Sequence, residues 1–193
     1  MASLKFPSTP AGLVELDDQF AYWVGGLVMN WAACESLFLG FMRCFVQGPQ
    51  GTCEVFWVST KSTRARVDYI INLSKISAIS DKSSDAIARL AAQFDRLTQT
   101  RNMYCHGYYH ADPLTMRMAS FTFHSIPDKS GVNLLGEIKR DLDKALVNEV
   151  KNAAFRCFEL SKDLWRLLLQ VRDELKAHHA GLPESLPSHL LPK

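Results

Sequence analysis

The chain has 193 residues, 47% of them hydrophobic and 22% charged, with 22 Lys and Arg against 20 Asp and Glu. This length and balance are typical of one globular domain with a sizeable core, and they exclude a disordered or fibrous chain. The net charge of +2 lacks the strongly basic footprint of a dedicated nucleic-acid binder, so any RNA contact must be local.

The cysteines and the first residues of the sequence indicate a compartment. The five cysteines are odd in number, contain no Cys-x-x-Cys pair and mostly lie in apolar helical patterns: Cys34, Cys44, Cys53, Cys105 and Cys157. This usage indicates reduced, buried thiols. Residues 1–10 show no apolar run of signal-peptide type. We therefore expect a cytoplasmic protein.

The first helix is predicted over residues 13–46, after a loose N-terminal arm at residues 1–12. Its apolar side chains recur at spacings of three and four, as on one face of a helix: Phe20, Trp23, Leu27, Trp31, Cys34, Phe38, Phe41 and Phe45. The stretch from Phe20 to Val46 is also apolar enough to suggest a membrane span. Asn30, Glu35 and the missing basic flank favour a buried helix and no membrane contact.

A Gly- and Pro-rich loop at residues 47–51 and a short apolar piece at residues 55–58 precede the second helix, which Ser59 or Thr60 would cap. The helix is predicted to end near Ile79, with Val67, Ile70, Leu73 or Ser74, and Ile76 inward. Lys61, Arg64 and Arg66 place positive charge in its first turns, where the helix dipole disfavours cations. Either Arg64 pairs with Asp68, four residues on, or Lys61 and Arg64 contact RNA phosphates.

The third helix follows a connector at residues 80–84 and has a predicted core face of Ile87, Leu90, Ala91, Phe94 and Leu97. The next position on that face is Arg101, a cation where packing favours Leu. Gly107 is expected to take positive φ and end the helix. His106 would then lie at the C-terminal turn, where the dipole favours a cation.

Beyond Gly107 the apolar spacing changes to that of strands, at residues 108–111, 115–125 and about 132–139. A fourth helix, capped by Asp141, is expected to run to about His178, and an irregular tail covers residues 181–193. The predicted fold class is all-α. It is an antiparallel four-helix bundle forming a single domain over residues 13–180, with a small β-hairpin inserted at about 108–139.

The run from Arg101-Asn102 to His106-Gly107, at the end of the third helix of a small bundle, resembles the HEPN ribonuclease family and its motif of arginine, four to six residues, histidine. The resemblance implies a homodimer with a composite site of two arginines and two histidines. That site would cleave RNA by attack of the 2′-hydroxyl, with no metal or other cofactor, and leave a 2′,3′-cyclic phosphate.

The same resemblance assigns further roles and partners. Asn102 would hold the geometry or contact the phosphate, and Glu35 would be the acidic residue that family members carry on the first helix. Proteins of this family often act as toxins or in defence against phage, so an antitoxin or a nucleotidyltransferase-type protein is a candidate partner. The chemistry agrees, since histidine transfers protons near neutral pH and the guanidinium fork of arginine suits a phosphate.

Other interpretations compete with this one. Arg101 and His106 could serve only as structural helix-end residues in a non-catalytic binding or regulatory module of the same fold. Tyr108 and Tyr109 could stack on a base or be half-buried hairpin aromatics. His106, His110 and Asp112 have residue types that suit zinc, but Gly107 would separate the two histidines. Cys105 has no identifiable third group for nucleophilic catalysis.

Overall fold

The computed structural model describes residues 15–46, 48, 49, 51–125 and 136–176. It has five helices and three strands in this part of the chain, in the order α1 (Leu16–Phe45), α2 (Thr52–Ser59), α3 (Thr63–Ile76), α4 (Asp81–Cys105), β1 (Tyr108–Ala111), β2 (Met118–Ser125), β3 (Gly136–Asp141) and α5 (Lys144–Glu174). A mostly helical chain with a small β insertion is therefore confirmed. The arm at residues 1–12 and the tail at residues 181–193 lie outside the described residues.

Helix α1 is the central element of the core and packs along α5. Seven of the eight residues on its predicted apolar face are buried, and Phe45 is partly buried. By length and composition alone α1 could also cross a membrane, since an 18-residue window reaches a mean hydropathy of 1.3. The apolar face of α1 is buried against α5, as in the core helix of a globular domain. Packing within the fold therefore accounts for the apolar run.

The segment between α1 and α4 differs from the sequence-based prediction. Residues 52–59, expected to include a short apolar piece and the cap of the next helix, form the separate helix α2. Helix α3 begins later, and its cap is Ser62, whose side chain accepts a hydrogen bond from the backbone N–H of Ala65 at 3.0 Å. Ser59 and Thr60 are not its caps, because Ser59 is the last residue of α2.

The inward face of α3 is also shorter than predicted. Val67, Ile70 and Ser74 are buried, but the Ile76 side chain is 81% exposed. Ile76 is the last residue of α3, and the chain turns away there, so Ile79 packs on the core in its place.

Helix α4 starts within the predicted connector, because Ser80 caps it and residues 81–84 are helical. The Ser80 hydroxyl accepts from the N–H of Ser83 at 3.3 Å, and the Ser83 hydroxyl donates to Glu174 of α5 at 2.7 Å. All five residues of its predicted core face are buried. The start of α4 is thus fixed to the end of α5, and its other end carries Arg101.

The three strands form an antiparallel sheet in the order β1-β2-β3. Tyr109 pairs with Phe121 and Phe121 with Arg140, and the register shifts between His110 and Ala111. Phe121 is fully buried and joins the sheet to the helical core. Asp141, predicted as the cap of the last helix, instead ends β3, and the cap of α5 is Asp143, which accepts from the N–H of Leu146 at 2.7 Å.

Four of the five cysteines are buried thiols, as predicted, and Cys105 is exposed. The Cys34 and Cys157 sulfurs of α1 and α5 lie 3.9 Å apart in the core. The contact with Cys157, together with burial, raises the pKa of Cys34 far above its ordinary value. Cys34 is therefore a neutral packing group at the α1–α5 contact.

Candidate functional site at the end of α4

Arg101 lies in the last turn of α4, and its guanidinium stacks on an indole ring. The Cζ atom lies 3.7 Å from the centroid of the Trp31 ring of α1. A guanidinium over an indole face at this distance is a cation–π contact, which contributes about 0.5–2 kcal/mol depending on exposure. The stack explains how a cation can occupy a position where the helical spacing predicts Leu.

Trp31 is itself held from two sides. Its Nε1–H donates to the Thr98 hydroxyl at 2.9 Å, and its ring stacks on Phe94 with centroids 5.5 Å apart. Thr98 and Phe94 belong to α4, the helix that carries Arg101. The plane on which the guanidinium rests is therefore fixed by the α1–α4 contact.

The charge of Arg101 is not neutralised within the described part of the chain. Five arginines are half-buried there, and four of them form ion pairs: Arg43–Glu54, Arg66–Glu35, Arg140–Glu149 and Arg172–Asp173. Arg101 is the fifth, and its buried Nε has no hydrogen-bond partner among the described residues. Since a half-buried charge without a counter-ion loses hydration, an anion arriving at this guanidinium would be stabilised.

His106 is the C-cap of α4, as predicted. Its backbone N–H donates to the carbonyl of Asn102 at 3.0 Å, and its side chain is exposed, as is that of Asn102. The side chain stands at the C-terminal end of a 25-residue helix, where the last backbone carbonyls carry partial negative charge.

Arg101 and His106 do not meet within one chain. Five residues along a helix correspond to a rise of about 7.5 Å and a rotation of about 140°. Arg101 turns inward to Trp31, while His106 faces solvent. A single chain therefore presents a half-buried cation and an exposed imidazole near the same helix end, on different faces of the helix.

Gly107 is required for a reason other than the predicted one. Its φ is not in the positive region, so the left-handed conformation does not explain it. A Cβ at this position would instead lie 2.0 Å from Cε2 of the buried Phe121 ring. Gly107 therefore lets the sheet approach the end of α4.

Glu35, predicted as the acidic residue that accompanies the motif, forms its hydrogen bonds with α3. Its carboxylate accepts from Arg66 Nη1 at 2.7 Å and from the Thr63 hydroxyl at 3.1 Å. Glu35 lies one turn beyond Trp31 on α1, so it is near the Arg101 stack in sequence, yet its hydrogen bonds go to α3. Its observed role is to hold α3 on α1.

The two tyrosines after the motif differ from each other. The Tyr109 ring stacks on Phe121 with centroids 5.5 Å apart, and its hydroxyl donates to the Tyr104 carbonyl. Tyr109 is thus a half-buried hairpin aromatic, as in the structural alternative. Tyr108 is 59% exposed and remains accessible to a ligand.

Two of the three basic residues at the start of α3, Lys61 and Arg64, are exposed, and the third, Arg66, pairs with Glu35. Arg64 Nε lies 3.9 Å from an Asp68 carboxylate oxygen, so the predicted pair of residues four apart is present as a long surface contact. Such a pair contributes less than about 1 kcal/mol and leaves Arg64 available to other anions. Lys61 is exposed, before the first turn of α3.

The residues of the zinc alternative have separate hydrogen-bond partners. His110 Nε2 lies 3.0 Å from the Thr122 hydroxyl, and the Asp112 carboxylate accepts from the backbone N–H groups of Leu114 and Thr115. Those backbone hydrogen bonds lower the pKa of Asp112. In the described ranges, no three His, Cys, Asp or Glu side chains are grouped closely enough to hold a metal ion.

Two residues of this site could not be identified from the sequence motif, namely Trp31 and Thr98. Trp31 has the spacing of an ordinary core residue, and nothing in the sequence pairs it with a cation 70 positions later. The sequence does contain one signal for the contact. A tryptophan lies on the apolar face of the first helix, and an arginine lies on the apolar face of a later helix.

Comparison with known proteins found no match, since no protein-family model, curated protein or solved structure is significantly similar to this chain. Any function therefore has to be argued from the site itself.

Proposed function

We propose that the protein is a cytoplasmic, metal-independent endoribonuclease whose active site forms at a homodimer interface from Arg101 and His106 of both protomers. The observation that carries the proposal is the guanidinium of Arg101, held over the Trp31 ring without a carboxylate partner in the described residues. A fixed, unneutralised arginine is suited to the non-bridging oxygens of a phosphodiester. The proposal includes a HEPN-like arrangement of the four longer helices.

Two proton transfers are needed at the phosphate. A neutral imidazole takes the proton of the ribose 2′-hydroxyl while the 2′-oxygen bonds to phosphorus. A protonated imidazole gives its proton to the 5′-oxygen as the P–O5′ bond breaks, which leaves a 2′,3′-cyclic phosphate and a 5′-hydroxyl. Since each protomer offers one histidine in this motif, the second imidazole would come from the other protomer.

The guanidinium would stabilise the charge that develops at phosphorus. A group fixed in advance on an indole plane needs little reorganisation when the charge appears. Asn102, exposed one residue after Arg101, would contact the same phosphate. Tyr108 would be available to a flanking base, with Lys61 and Arg64 as more distant phosphate contacts.

The test is cleavage of a mixed single-stranded RNA in EDTA by the purified full-length protein. We expect His106→Ala to lower the rate by about 10²–10⁴-fold, the usual contribution of acid–base catalysis. Arg101→Met, which still covers Trp31 but carries no charge, should lower it by about 10²–10³-fold. His110→Ala and Arg89→Ala are matched controls, since they remove an exposed histidine near the motif and an exposed arginine on α4.

Dimer mass and helical circular dichroism should be unchanged in all four variants. An excess of His106→Ala chains mixed with wild-type chains should lower the wild-type activity if the site is composite, because each mixed dimer holds only one of the two imidazoles that the reaction needs. Equal rates for variants and controls, or no cleavage by the wild type across several RNAs, would overturn the proposal.

A non-catalytic binding or regulatory module is the second candidate, and the same guanidinium supports it. An arginine that lacks a carboxylate partner can bind an acidic side chain of another protein as readily as a phosphate. The two candidates separate in the cleavage assay, because the module would form complexes that depend on Arg101 but would not cut RNA.

A further inference from the structure

A groove lies between α4 and α5. It is on the opposite side of α4 from the face that packs on α3. It has a volume of about 410 Å³ and is lined by polar, basic and aromatic groups: Gln93, Arg96, Thr100, Phe155 and Arg156. The buried Leu97 and Leu160 lie at its base. The groove thus combines apolar walls with hydrogen-bonding and cationic groups, as ligand sites do.

The groove lining is formally neutral, with Arg96 and Arg156 against Glu159 and Asp163, but only the two arginines lack ion-pair partners among the described residues. Its two carboxylates are occupied, since Glu159 pairs with Lys162 at 2.8 Å and Asp163 with Arg166 at 2.9 Å. Arg96 and Arg156 are exposed and form no ion pair in the described ranges. Arg156 does lie close enough to Glu149 to lower the pKa of that carboxylate, but Glu149 is hydrogen-bonded to Tyr104 and Arg140.

The α3–α4 groove is less suited to an anion. It has a smaller volume of about 250 Å³, and its one arginine, Arg64, is matched by Asp68, with Asp95 as an additional carboxylate. Charge complementarity therefore favours the α4–α5 groove as the place for a phosphate-bearing ligand.

An aromatic side chain adds a second requirement to the ligand. Phe155 of α5 is a large apolar residue, 42% exposed at the groove. Nucleic-acid bases stack on such rings, while arginines contact the adjoining phosphates. An acidic peptide would pair with the arginines but would bring no flat ring to the exposed part of the Phe155 side chain.

The groove and the motif lie at the same level of α4, on faces of the helix about 100° apart. Thr100 lines the groove and directly precedes Arg101. His106 is six residues further on, which is a rise of about 9 Å along the helix. A strand whose phosphate contacts Arg101 could therefore place a neighbouring nucleotide in the groove.

We propose that the α4–α5 groove binds a nucleotide of single-stranded RNA beside the cleaved phosphate, with Phe155 stacking on the base and Arg96 and Arg156 contacting phosphates. This proposal rests on the proposed ribonuclease function, whose active-site residues it extends.

The test uses full-length His106→Ala protein, so that RNA stays intact, and measures anisotropy of a short fluorescein-labelled single-stranded RNA. We expect Arg96→Glu and Arg156→Glu each to raise the Kd by about tenfold at low salt. Phe155→Ala should raise it by about fivefold or more, as for one lost base stack. Phe155→Ala should have no effect on an abasic strand of the same length.

Arg89→Glu is the matched control, because it makes the same charge change on α4 about 10 Å, or two turns, before Arg96. An equal loss for Arg89→Glu would overturn the groove as a site, since binding would then depend only on net charge. Displacement of the RNA by a polyglutamate peptide of equal charge and concentration would overturn the choice of ligand.

The cleavage assay keeps the two proposals apart. If the wild type cleaves RNA and the groove variants bind RNA as tightly as before, the groove proposal is wrong and the nuclease proposal stands. Groove-dependent binding by a wild-type protein that does not cleave would support the groove as an RNA site and overturn the nuclease.

Discussion

Replacing Gly107 with Ala tests how the sheet is joined to the end of α4. The added Cβ would lie 2.0 Å from Cε2 and 2.7 Å from Cδ2 of Phe121. Carbon atoms prefer separations of about 3.5–4.0 Å, so the ring would have to move by about 1.5 Å. The backbone itself would accept Ala, because the φ of Gly107 is not positive.

The cost follows from how tightly the Phe121 ring is held. The ring is fully buried and stacks on Tyr104, Tyr109 and Phe123 with centroid distances of 5.5–5.6 Å. Overpacking of a filled core costs about 1–3 kcal/mol, and losing a buried Phe altogether costs about 3–5 kcal/mol. We expect the free energy of unfolding to fall by about 3 kcal/mol, and the Tm by about 6–12 °C for a chain of this size.

Urea unfolding followed by circular dichroism measures this change, and Gly25→Ala is its control. Gly25 lies inside α1, and a Cβ there would meet nothing within 4 Å. That substitution should stabilise the protein by about 0.5–1 kcal/mol through helix propensity alone. Phe121→Leu in the Gly107→Ala background should recover part of the loss, since the smaller side chain vacates the overlap. A neutral Gly107→Ala would refute the packing argument.

Two further predictions concern carboxylates. Glu35→Gln should lower the free energy of unfolding by about 1.5–3 kcal/mol, because it leaves the Arg66 guanidinium without its charged partner. Calorimetry measures this loss. If Glu35 is structural, the rate of RNA cleavage below the Tm should not change. Burial opposes ionisation of Glu149, but hydrogen bonds from Tyr104 and Arg140 hold its pKa below the usual range. Stability from Glu149 is therefore present above its unfolded-state pKa and lost as pH falls through the folded value, from about pH 5 downward. The difference in urea midpoint between wild type and Glu149→Gln should shrink on acidification, and a constant difference would contradict this.

The sequence predicts the helical core well because apolar spacing reports burial directly. The predicted apolar faces of α1, α3 and α4 pack into the core of the folded chain, and only end positions deviate. Ile76 deviates because a stripe carries no information about where the packing partner stops.

Helix starts were predicted less well because several neighbouring residues can cap. The N-cap of α3 is Ser62, where Ser59 or Thr60 was predicted. The N-cap of α5 is Asp143, where Asp141 was predicted. Two of the residues wrongly predicted as caps belong to the preceding element, Ser59 to α2 and Asp141 to β3. Only the extent of those elements decides which hydroxyl or carboxylate is free to cap.

The motif residues could be located from the sequence, but their surroundings could not. The end of α4 at His106 follows from local sequence. The platform under Arg101 and the partner of Glu35 depend on contacts between α1 and later helices, which no local pattern encodes.

The stack of Arg101 on Trp31 divides the motif into one rigid and one adaptable residue. Trp31 is tied to Thr98 and Phe94 inside the bundle, so the guanidinium should keep its position until the whole core unfolds. The His106 side chain is exposed at the end of α4, so rotation about its own side-chain bonds can redirect the ring while the backbone stays in place. A binding partner or substrate would then orient the histidine, whereas the arginine is oriented in advance by the core.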